Sequence, residues 1–309
     1  MKIVYDKDSW KEEAVVATIG FFDGVHTGHR FLLQKMQQIA EVRKLPTAVI
    51  TFPVHPNVVL RAHYHPKLLN TFEEKIKLIT ETGIDYLIVM TFTKELAAMT
   101  ARQFMATALV PEWHVQTLLV GYNHRFGSQH TEGIEQYILD GKAFGLEVIK
   151  TSSFSSDKGT AVSSSMIRRL IETGDVAAAA RLLGYHYQLK GHVVEGNHIG
   201  QRLGFPTANM MVDENFKVIP KNGSYAVRIT INEKNYNGMS YVGSRPSIDS
   251  DDSLRIEVHL FDFSSDIYNA SIVVEFIDFI RDERKFDSLD ELREQMQEDQ
   301  KKAKLIVNC

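Results

Sequence analysis

A chain of 309 residues is long enough for two domains, and 44% hydrophobic with 24% charged residues is typical of a globular protein. The net charge of −4, from 35 basic and 39 acidic residues without a dense basic block, gives no support for binding nucleic acid. No apolar run approaches the roughly 18 residues of a membrane span, and the one cysteine, Cys309, excludes an internal disulfide framework and a cysteine metal site.

The first 184 residues alternate strand-like apolar runs with amphipathic helical patterns. The predicted strands are Val15–Ile19, Thr47–Phe52, Tyr86–Phe92, Thr117–Gly121 and Leu146–Lys150. The predicted helices are Phe31–Arg43, Phe72–Thr82, Ala101–Leu109, Ile134–Phe144, Ser163–Ile171 and Val176–Leu183. This alternation predicts an α/β domain, a Rossmann-like parallel sheet with helices on both faces.

After about residue 185 the pattern changes to period two, which is typical of strands. The predicted strands are Tyr187–Val194, Ser224–Ile231, Asn237–Val242, Leu254–Phe261 and Ile272–Ile280. A last charged helix begins at Ser288. We therefore expect domains at residues 1–184 and 185–309, the second being a small antiparallel β-barrel with a C-terminal helix.

The most informative motif runs from Gly20 to His29, between a predicted strand and a predicted helix. A helix N-terminus attracts phosphate, and glycines let the backbone approach a ligand. His26 and His29 can add hydrogen bonds, and charge if they are protonated. The motif therefore predicts a nucleotide site, although a histidine at a helix start is usually a cap or a surface residue. Its His-x-Gly-His pattern resembles the adenylyltransferase superfamily.

A second, weaker motif runs from Gly196 to Asn209 and includes Gly200 and Gly204. Such a loop can wrap phosphates with backbone N–H groups, but an ordinary hairpin turn explains the glycines equally well. Thr207 and Asn209 alternate on an extended segment, so their side-chain oxygens face the same way and suit Mg²⁺.

Both motifs together resemble the bacterial bifunctional riboflavin kinase/FAD synthetase family over nearly the whole chain. Further segments that carry the resemblance are Thr51–Pro56, Gly121–Gly127, Ser163–Arg168, Gly204–Asn209, Gly243–Pro246, Glu257–Leu260 and Phe279–Phe286. The resemblance implies that the barrel phosphorylates riboflavin to FMN with ATP. It also implies that the first domain transfers AMP from ATP to FMN, giving FAD and pyrophosphate.

Two alternatives to the two-activity enzyme stay open at this point. One module could be active while the other serves as a flavin-binding or regulatory scaffold. A flavin-sensing regulator that binds RNA or protein is disfavoured, because it predicts a basic face and degraded catalytic positions. The small-molecule partners implied are ATP, riboflavin and FMN, with no nucleic acid and no membrane. The charged start of the chain and the cysteine usage predict a cytoplasmic location.

The resemblance also implies site residues. For adenylyl transfer it implies catalytic His26 and His29 within an ATP-binding set of Gly20, Phe21, Phe22, Asp23, Gly24, His26, Gly28, His29, Asn123, Ser164, Ser165 and Arg168. For the kinase it implies Glu257 as general base, Thr207 and Asn209 as Mg²⁺ ligands, and an ATP-binding set of Gly196, Gly200, Gln201, Arg202, Thr207, Asn209, Leu260, Asp262 and Tyr268. Flavin contacts are expected from His55, Arg281, Arg284 and Phe286.

Structural alternatives exist for several of these residues. Ser163–Ser165 could simply cap a helix, and Glu257 could be an exposed strand glutamate paired with Arg255 or a cross-strand base. Arg281 and Arg284 could form surface ion pairs with acidic neighbours in the same segment. The cluster of His55, His63 and His65 looks like a metal site, but prolines break its spacing, so it is predicted to be a substrate-side loop.

Overall fold

The computed structural model describes residues 1–121, 126–128, 133–152, 154, 161–195, 203–245 and 253–308. The chain divides into two compact units, Met1–Ser164 and Ser165–Cys309. The helices Ser164–Glu172 and Val176–Leu183 therefore group almost entirely with the second unit, whereas the sequence was interpreted as placing them in the first domain. The expected boundary at residue 185 stays a prediction.

The first unit is built on a parallel sheet, as predicted. Within the described ranges the sheet has six strands in the order β1-β4-β3-β2-β5-β6. These strands are β1 Lys2–Val4, β2 Val15–Ile19, β3 Thr47–Thr51, β4 Tyr86–Val89, β5 Val115–Val120 and β6 Glu147–Lys150. Strand β1 was not predicted, because this edge strand of three residues is too short to show a pattern.

Helices cover both faces of this sheet. They are α1 Thr27–Arg43, α2 Pro56–Leu60, α3 Phe72–Thr80, α4 Lys94–Ala98, α5 Ala101–Phe104, which continues as a π-helical turn at Met105–Leu109, and α6 Ile134–Ala143. Val16 and Val49 pack in one apolar cluster with α1, while their neighbours Ala17 and Ile50 pack in another on the opposite face. Successive strand residues point to opposite faces, so both faces are buried.

The second unit contains a closed antiparallel barrel in the order β10-β11-β8-β7-β12-β9, confirming the predicted architecture. The strands are β7 Tyr187–Val194, β8 Ala208–Val212, β9 Gly223–Ile231, β10 Lys234–Arg245, β11 Ser253–Leu260 and β12 Ser271–Asp282. Only β8 was not predicted as a strand, although its first residues were expected to be extended. Closure pairs every strand of the barrel with two neighbours, which protects the strand edges.

The described residues of the second unit also form helices, α7 Ser164–Glu172, α8 Val176–Leu183 and α9 Leu289–Val307. The Ser288 hydroxyl accepts the Glu291 N–H at 3.1 Å, so α9 begins where the sequence predicts. Helix α9 packs on β9, β10 and β12. Its Ala303 shares an apolar cluster with Ala226 and Met239 of the barrel. The helix therefore covers one part of the outer barrel wall.

Across the part of the chain that the structure describes, no helix is both long and apolar enough to cross a membrane.

Candidate active sites

The first candidate site is the loop between β2 and α1. Its backbone takes left-handed conformations at Phe22 (φ 55°), Gly24 (φ 81°) and Val25 (φ 35°). Such conformations cost roughly 1–3 kcal/mol in residues other than glycine, and they are concentrated at functional sites. The loop delivers His26 as the N-cap of α1. The predicted strand–loop–helix junction is therefore present.

His26 is fixed in one tautomer by its own helix. Its Nδ1 accepts the His29 backbone N–H at 3.3 Å, so in the neutral ring the proton sits on Nε2. The residue is only 5% exposed, and burial lowers its pKa to about 4. At neutral pH His26 therefore offers a hydrogen-bond donor at Nε2 rather than a positive charge.

His29 stacks on His26, with ring centroids 3.7 Å apart and an angle of 16° between the planes. The Phe22 ring lies edge-to-face with the His29 ring, with centroids 5.0 Å apart. A Cβ added at Gly28 would approach the His26 ring to 3.2 Å, which is tighter than ordinary packing. Gly28 therefore leaves the space that the stacked imidazoles need, and the structure brings both predicted histidines together at the mouth of α1.

Asp23 ties this loop to two other segments. Its carboxylate accepts the Leu69 N–H at 2.9 Å, and its backbone carbonyl accepts the Ser164 hydroxyl at 2.8 Å. Ser164 therefore contacts the loop as well as starting α7. Ser165 and Arg168 follow on α7, Ser165 exposed and Arg168 half-buried. Asn123 lies outside the described residues.

His55, the residue expected at the flavin, lies beside the same loop. Its Nδ1 accepts the Asn57 N–H at 3.1 Å and so caps α2. Its ring contacts Phe21 edge-on at 4.7 Å and Tyr64 at 5.6 Å. No group of three or more histidine, cysteine, aspartate or glutamate side chains in the described ranges is arranged to hold a metal ion. The role of this loop as a substrate-side element stays a prediction.

Lys75 of α3 is a residue that the sequence reasoning missed. It is 3% exposed, and its ammonium donates to the Phe21 carbonyl at 2.9 Å and the Phe52 carbonyl at 2.8 Å. A signal was present, because Lys75 lies three residues after Phe72 and four before Ile79, on the apolar face of the helix. A lysine at a core position of an amphipathic helix indicates a buried hydrogen-bond or ion-pair partner.

The second candidate site is a cavity on the outer barrel wall beside α9. Directly paired residues form a polar row across five strands: Arg281 on β12, Ser224 on β9, Tyr241 on β10, Glu257 on β11 and Asn209 on β8. Residues paired directly across an antiparallel sheet share a face. The first four of these line the cavity together with Thr207, Arg255 and Asp299.

Glu257, the predicted general base, faces into this cavity. Its carboxylate pairs with Arg255, two residues earlier on the same strand, and its backbone carbonyl accepts the Ser240 hydroxyl at 3.0 Å. The Arg255 pair is the structural alternative considered from the sequence, and it coexists with a location inside the cavity. Tyr241 beside it donates to Glu283, and burial raises the Tyr241 pKa, so this phenol stays protonated.

The predicted flavin residues Arg281, Arg284 and Phe286 line the same cavity. Both guanidiniums lie over the Phe286 ring, at 5.6 Å and 5.4 Å from its centroid. Each also has a carboxylate partner on α9: Arg281 pairs with Asp299 and Arg284 with Glu291. The alternative of surface ion pairs with acidic neighbours in the same segment differs from these pairs, because both carboxylate partners come from α9.

Thr207, predicted as a Mg²⁺ ligand, is held next to this row by His259. The His259 Nδ1–H donates to the Pro206 carbonyl at 2.8 Å, and burial lowers the His259 pKa, so the ring is neutral. Asn209 pairs with Glu257 in the sheet register. A hydroxyl, an amide carbonyl and a nearby carboxylate are oxygen donors that suit a Mg²⁺ ion also bound by phosphates and water. These residues therefore fit the ion.

A second cavity in the barrel unit contains Leu260 and Tyr268, two of the residues expected at the kinase ATP site, together with Thr207. Asp262 does not line it; this residue is exposed and left-handed (φ 53°) just after β11. Gly196, Gly200, Gln201 and Arg202 lie outside the described residues. Thr207 lines both cavities.

Two family models match this chain, in consecutive parts of it. The family model for FAD synthetase matches residues 8–166, and the model for riboflavin kinase matches residues 183–307. A bifunctional riboflavin kinase/FMN adenylyltransferase of Listeria monocytogenes is 35% identical, covering 97% of this chain and 96% of the relative. The protein of the same description from Escherichia coli K12 is 35% identical over 95% and 93%.

A solved structure agrees with the fold of the whole chain. It is described as a macrolide-efflux protein from Streptococcus pneumoniae, is 31% identical, covers 96% of both chains and has a TM-score of 0.86. That description differs from the names of the curated relatives, although the sequence agreement extends equally far. On the two family models and the full-length relatives, this chain belongs to the bifunctional riboflavin kinase/FMN adenylyltransferase family.

Proposed function

We propose that this chain makes FAD from riboflavin in two steps, each in its own unit. The barrel unit phosphorylates riboflavin to FMN with ATP, and the parallel-sheet unit transfers AMP from a second ATP to FMN. The observation that carries this proposal is the coexistence of two polar constellations in one chain. One is the stacked His26–His29 pair at a helix mouth, and the other is the Glu257 row in the cavity beside α9.

For adenylyl transfer, an FMN phosphate oxygen attacks the α-phosphorus of ATP and the bond to the bridging oxygen of pyrophosphate breaks. Catalysis of this kind depends on positioning and on stabilising negative charge. The Nε2–H of His26 and the ring of His29 donate to phosphate oxygens, while the α1 N-terminus adds backbone N–H groups. Ser164 binds further phosphate oxygens, and His55 contacts the flavin side.

For phosphoryl transfer, the riboflavin 5′-hydroxyl attacks the γ-phosphorus of ATP and ADP leaves. Glu257 accepts the hydroxyl proton as the new bond forms. Arg255, paired with this carboxylate in the structure, holds it toward the cavity and is near enough to exchange partners once a phosphate arrives. Arg281, Arg284 and Phe286 border the flavin.

Thr207 and Asn209 would hold Mg²⁺ together with the ATP phosphates. When bound, the ion supplies charge neutralisation and alignment of the phosphate groups. The contribution of the chain itself is the orientation of the two oxygens, which follows from the sheet register of β8 and from the His259 contact to Pro206.

The direct test uses the purified full-length chain with ATP and Mg²⁺. Riboflavin is supplied in one reaction and FMN in another, and chromatography resolves riboflavin, FMN and FAD. We expect FMN and then FAD from riboflavin, and FAD from added FMN. Formation of FMN alone, or of FAD from FMN alone, would instead support the alternative in which one unit is a scaffold.

We also place the protein among cytoplasmic enzymes of small molecules. This rests on the single cysteine, which fits a reducing compartment, rather than on any fold feature. Fractionation of cells that carry an antibody-detectable chain should recover it with the cytosol, and recovery with membranes would contradict this assignment.

A further inference from the structure

Lys75 joins the carboxyl ends of the two central strands, β2 and β3, beside the loop that connects β2 to α1. Its Nζ donates to the Phe21 carbonyl just after β2 and to the Phe52 carbonyl just after β3, and it lies 3.4 Å from the Thr51 hydroxyl. That hydroxyl also donates to the Phe21 carbonyl, at 3.3 Å. One ammonium therefore satisfies two buried carbonyls, and three segments meet at its hydrogen bonds.

Placing this ammonium in the core is costly. Burial lowers the Lys75 pKa to about 7, and the Asp23 carboxylate acts against this shift by favouring the charged form. The face of the Phe21 ring, 4.0 Å from Nζ, adds a cation–π contact. An apolar residue at a core position of a helix avoids such a desolvation penalty, so a buried lysine here indicates a requirement other than packing.

Both phenylalanines of this loop contact a predicted site histidine. The Phe21 ring, beside the ammonium, contacts His55 at 4.7 Å between centroids. The next residue, Phe22, contacts His29 at 5.0 Å. Fixing the Phe21 carbonyl therefore fixes the backbone from which both aromatic supports extend.

We propose that Lys75 is a positioning residue for adenylyl transfer, which ties Phe21 to the end of β3 and thereby holds the His26–His29 pair and His55 in register. This inference rests on the proposed adenylyl transfer. The hydrogen bonds of the Lys75 ammonium are directed at protein oxygens. It acts through the loop backbone.

The test compares Lys75→Met with Lys77→Met in the full-length chain. Methionine keeps the unbranched apolar stem and removes the ammonium, and Lys77 is an exposed lysine of the same helix. We expect Lys75→Met to lower kcat for FAD formation from FMN by about 10- to 100-fold, the scale of a misplacement near 1 Å. KM for ATP should change less than kcat. Riboflavin phosphorylation by the same preparation and both activities of Lys77→Met should be unchanged.

Hydrogen exchange distinguishes positioning from other roles. We expect faster exchange of the amides of residues 20–29 in Lys75→Met, with protection of β2 and β3 retained. A wild-type rate of FAD formation in Lys75→Met would overturn the inference. So would a rate loss without altered exchange at 20–29, which indicates direct action on the substrate, or fast exchange throughout residues 1–164, which indicates a general stabilising role. If the unmodified chain makes no FAD from FMN, the proposed function itself fails.

Discussion

Arg281 and Asp299 connect the last barrel strand to the C-terminal helix through a bidentate ion pair. The Arg281 Nε lies 3.0 Å and 2.9 Å from the two Asp299 carboxylate oxygens, and a terminal guanidinium nitrogen lies 2.8 Å from one of them. Asp299 is only 2% exposed, and it also accepts from Gln295 at 3.0 Å. The arginine expected at the flavin therefore has a structural partner inside the same cavity.

This pair predicts two separable effects of changing Arg281. Arg281→Ala leaves a buried carboxylate unpaired, which should destabilise the barrel unit by about 3–5 kcal/mol, read as exchange of barrel amides. The double change Arg281→Met with Asp299→Leu removes both charges and should recover most of that loss. If Arg281 also contacts the flavin phosphate, FMN binding should stay weak in the double variant. Recovered FMN binding would assign Arg281 a structural role only.

Glu257→Gln tests the general base of riboflavin phosphorylation. The amide keeps the shape and removes the proton acceptor, so FMN formation should fall by about two to four powers of ten, while FAD formation from added FMN is spared. Glu275→Gln is the matched control, because Glu275 is also a strand glutamate paired with an arginine, Arg228, at 3.5 Å but outside the cavity. A near-normal rate of FMN formation in Glu257→Gln would show that another group, or none, takes the proton.

His29→Ala tests the charge-stabilising pair of the other unit. Loss of a transition-state hydrogen-bond donor costs about two to four powers of ten in rate. We expect this loss in FAD formation from FMN, with riboflavin phosphorylation unchanged in the same sample. His192→Ala, which removes a half-exposed histidine on β7, should leave both rates intact. Unimpaired FAD synthesis in His29→Ala would contradict the proposed role of His29 in adenylyl transfer.

The buried His26 predicts a pH dependence of stability. Its folded pKa of about 4 lies below the ordinary 6.5, so between these values the unfolded chain binds more protons than the folded one. Stability should therefore fall as pH drops through this window, by up to roughly 3 kcal/mol from this residue. Denaturant unfolding of residues 1–164 in the full chain can be followed by hydrogen exchange of their amides. The free energy of unfolding should depend less on pH in His26→Gln. Identical pH profiles for both proteins would contradict the prediction.

The sequence predicted the elements that depend on local signals. The start of α9 follows from the Ser288 cap, and the order of strands and helices follows from periodicity, so both appear where expected. The short edge strand Lys2–Val4 did not, because three residues carry no period. Strand β8 was missed because it has only five residues and Met210 and Met211 are apolar in succession, so its period of two is weak; pairing with β7 and β11 makes it a strand.

The chemistry of the sites was harder to predict from the sequence than the position of the motifs. The histidine motif predicted its own junction, but the neutral state of His26 depends on burial by distant segments. The partners Asp299 of Arg281 and Phe52 of Lys75 are 18 and 23 residues away in the chain, and no spacing rule links them. Such pairs depend on how α9 and α3 pack against distant segments, and the spacing of residues along the chain does not show that packing. The assigned roles stay predictions.

Thr207 lines both cavities of the barrel unit, so a ligand in either one borders the same side chain. Free energies of binding at such adjoining positions are reciprocal: whatever factor riboflavin imposes on the affinity for ATP, ATP must impose on the affinity for riboflavin. A substitution of Thr207 therefore changes the lining of both cavities rather than of one. On the proposed assignment of riboflavin and ATP to these cavities, Thr207 belongs to neither binding pocket alone, and any coupling between the two affinities is the same in both directions.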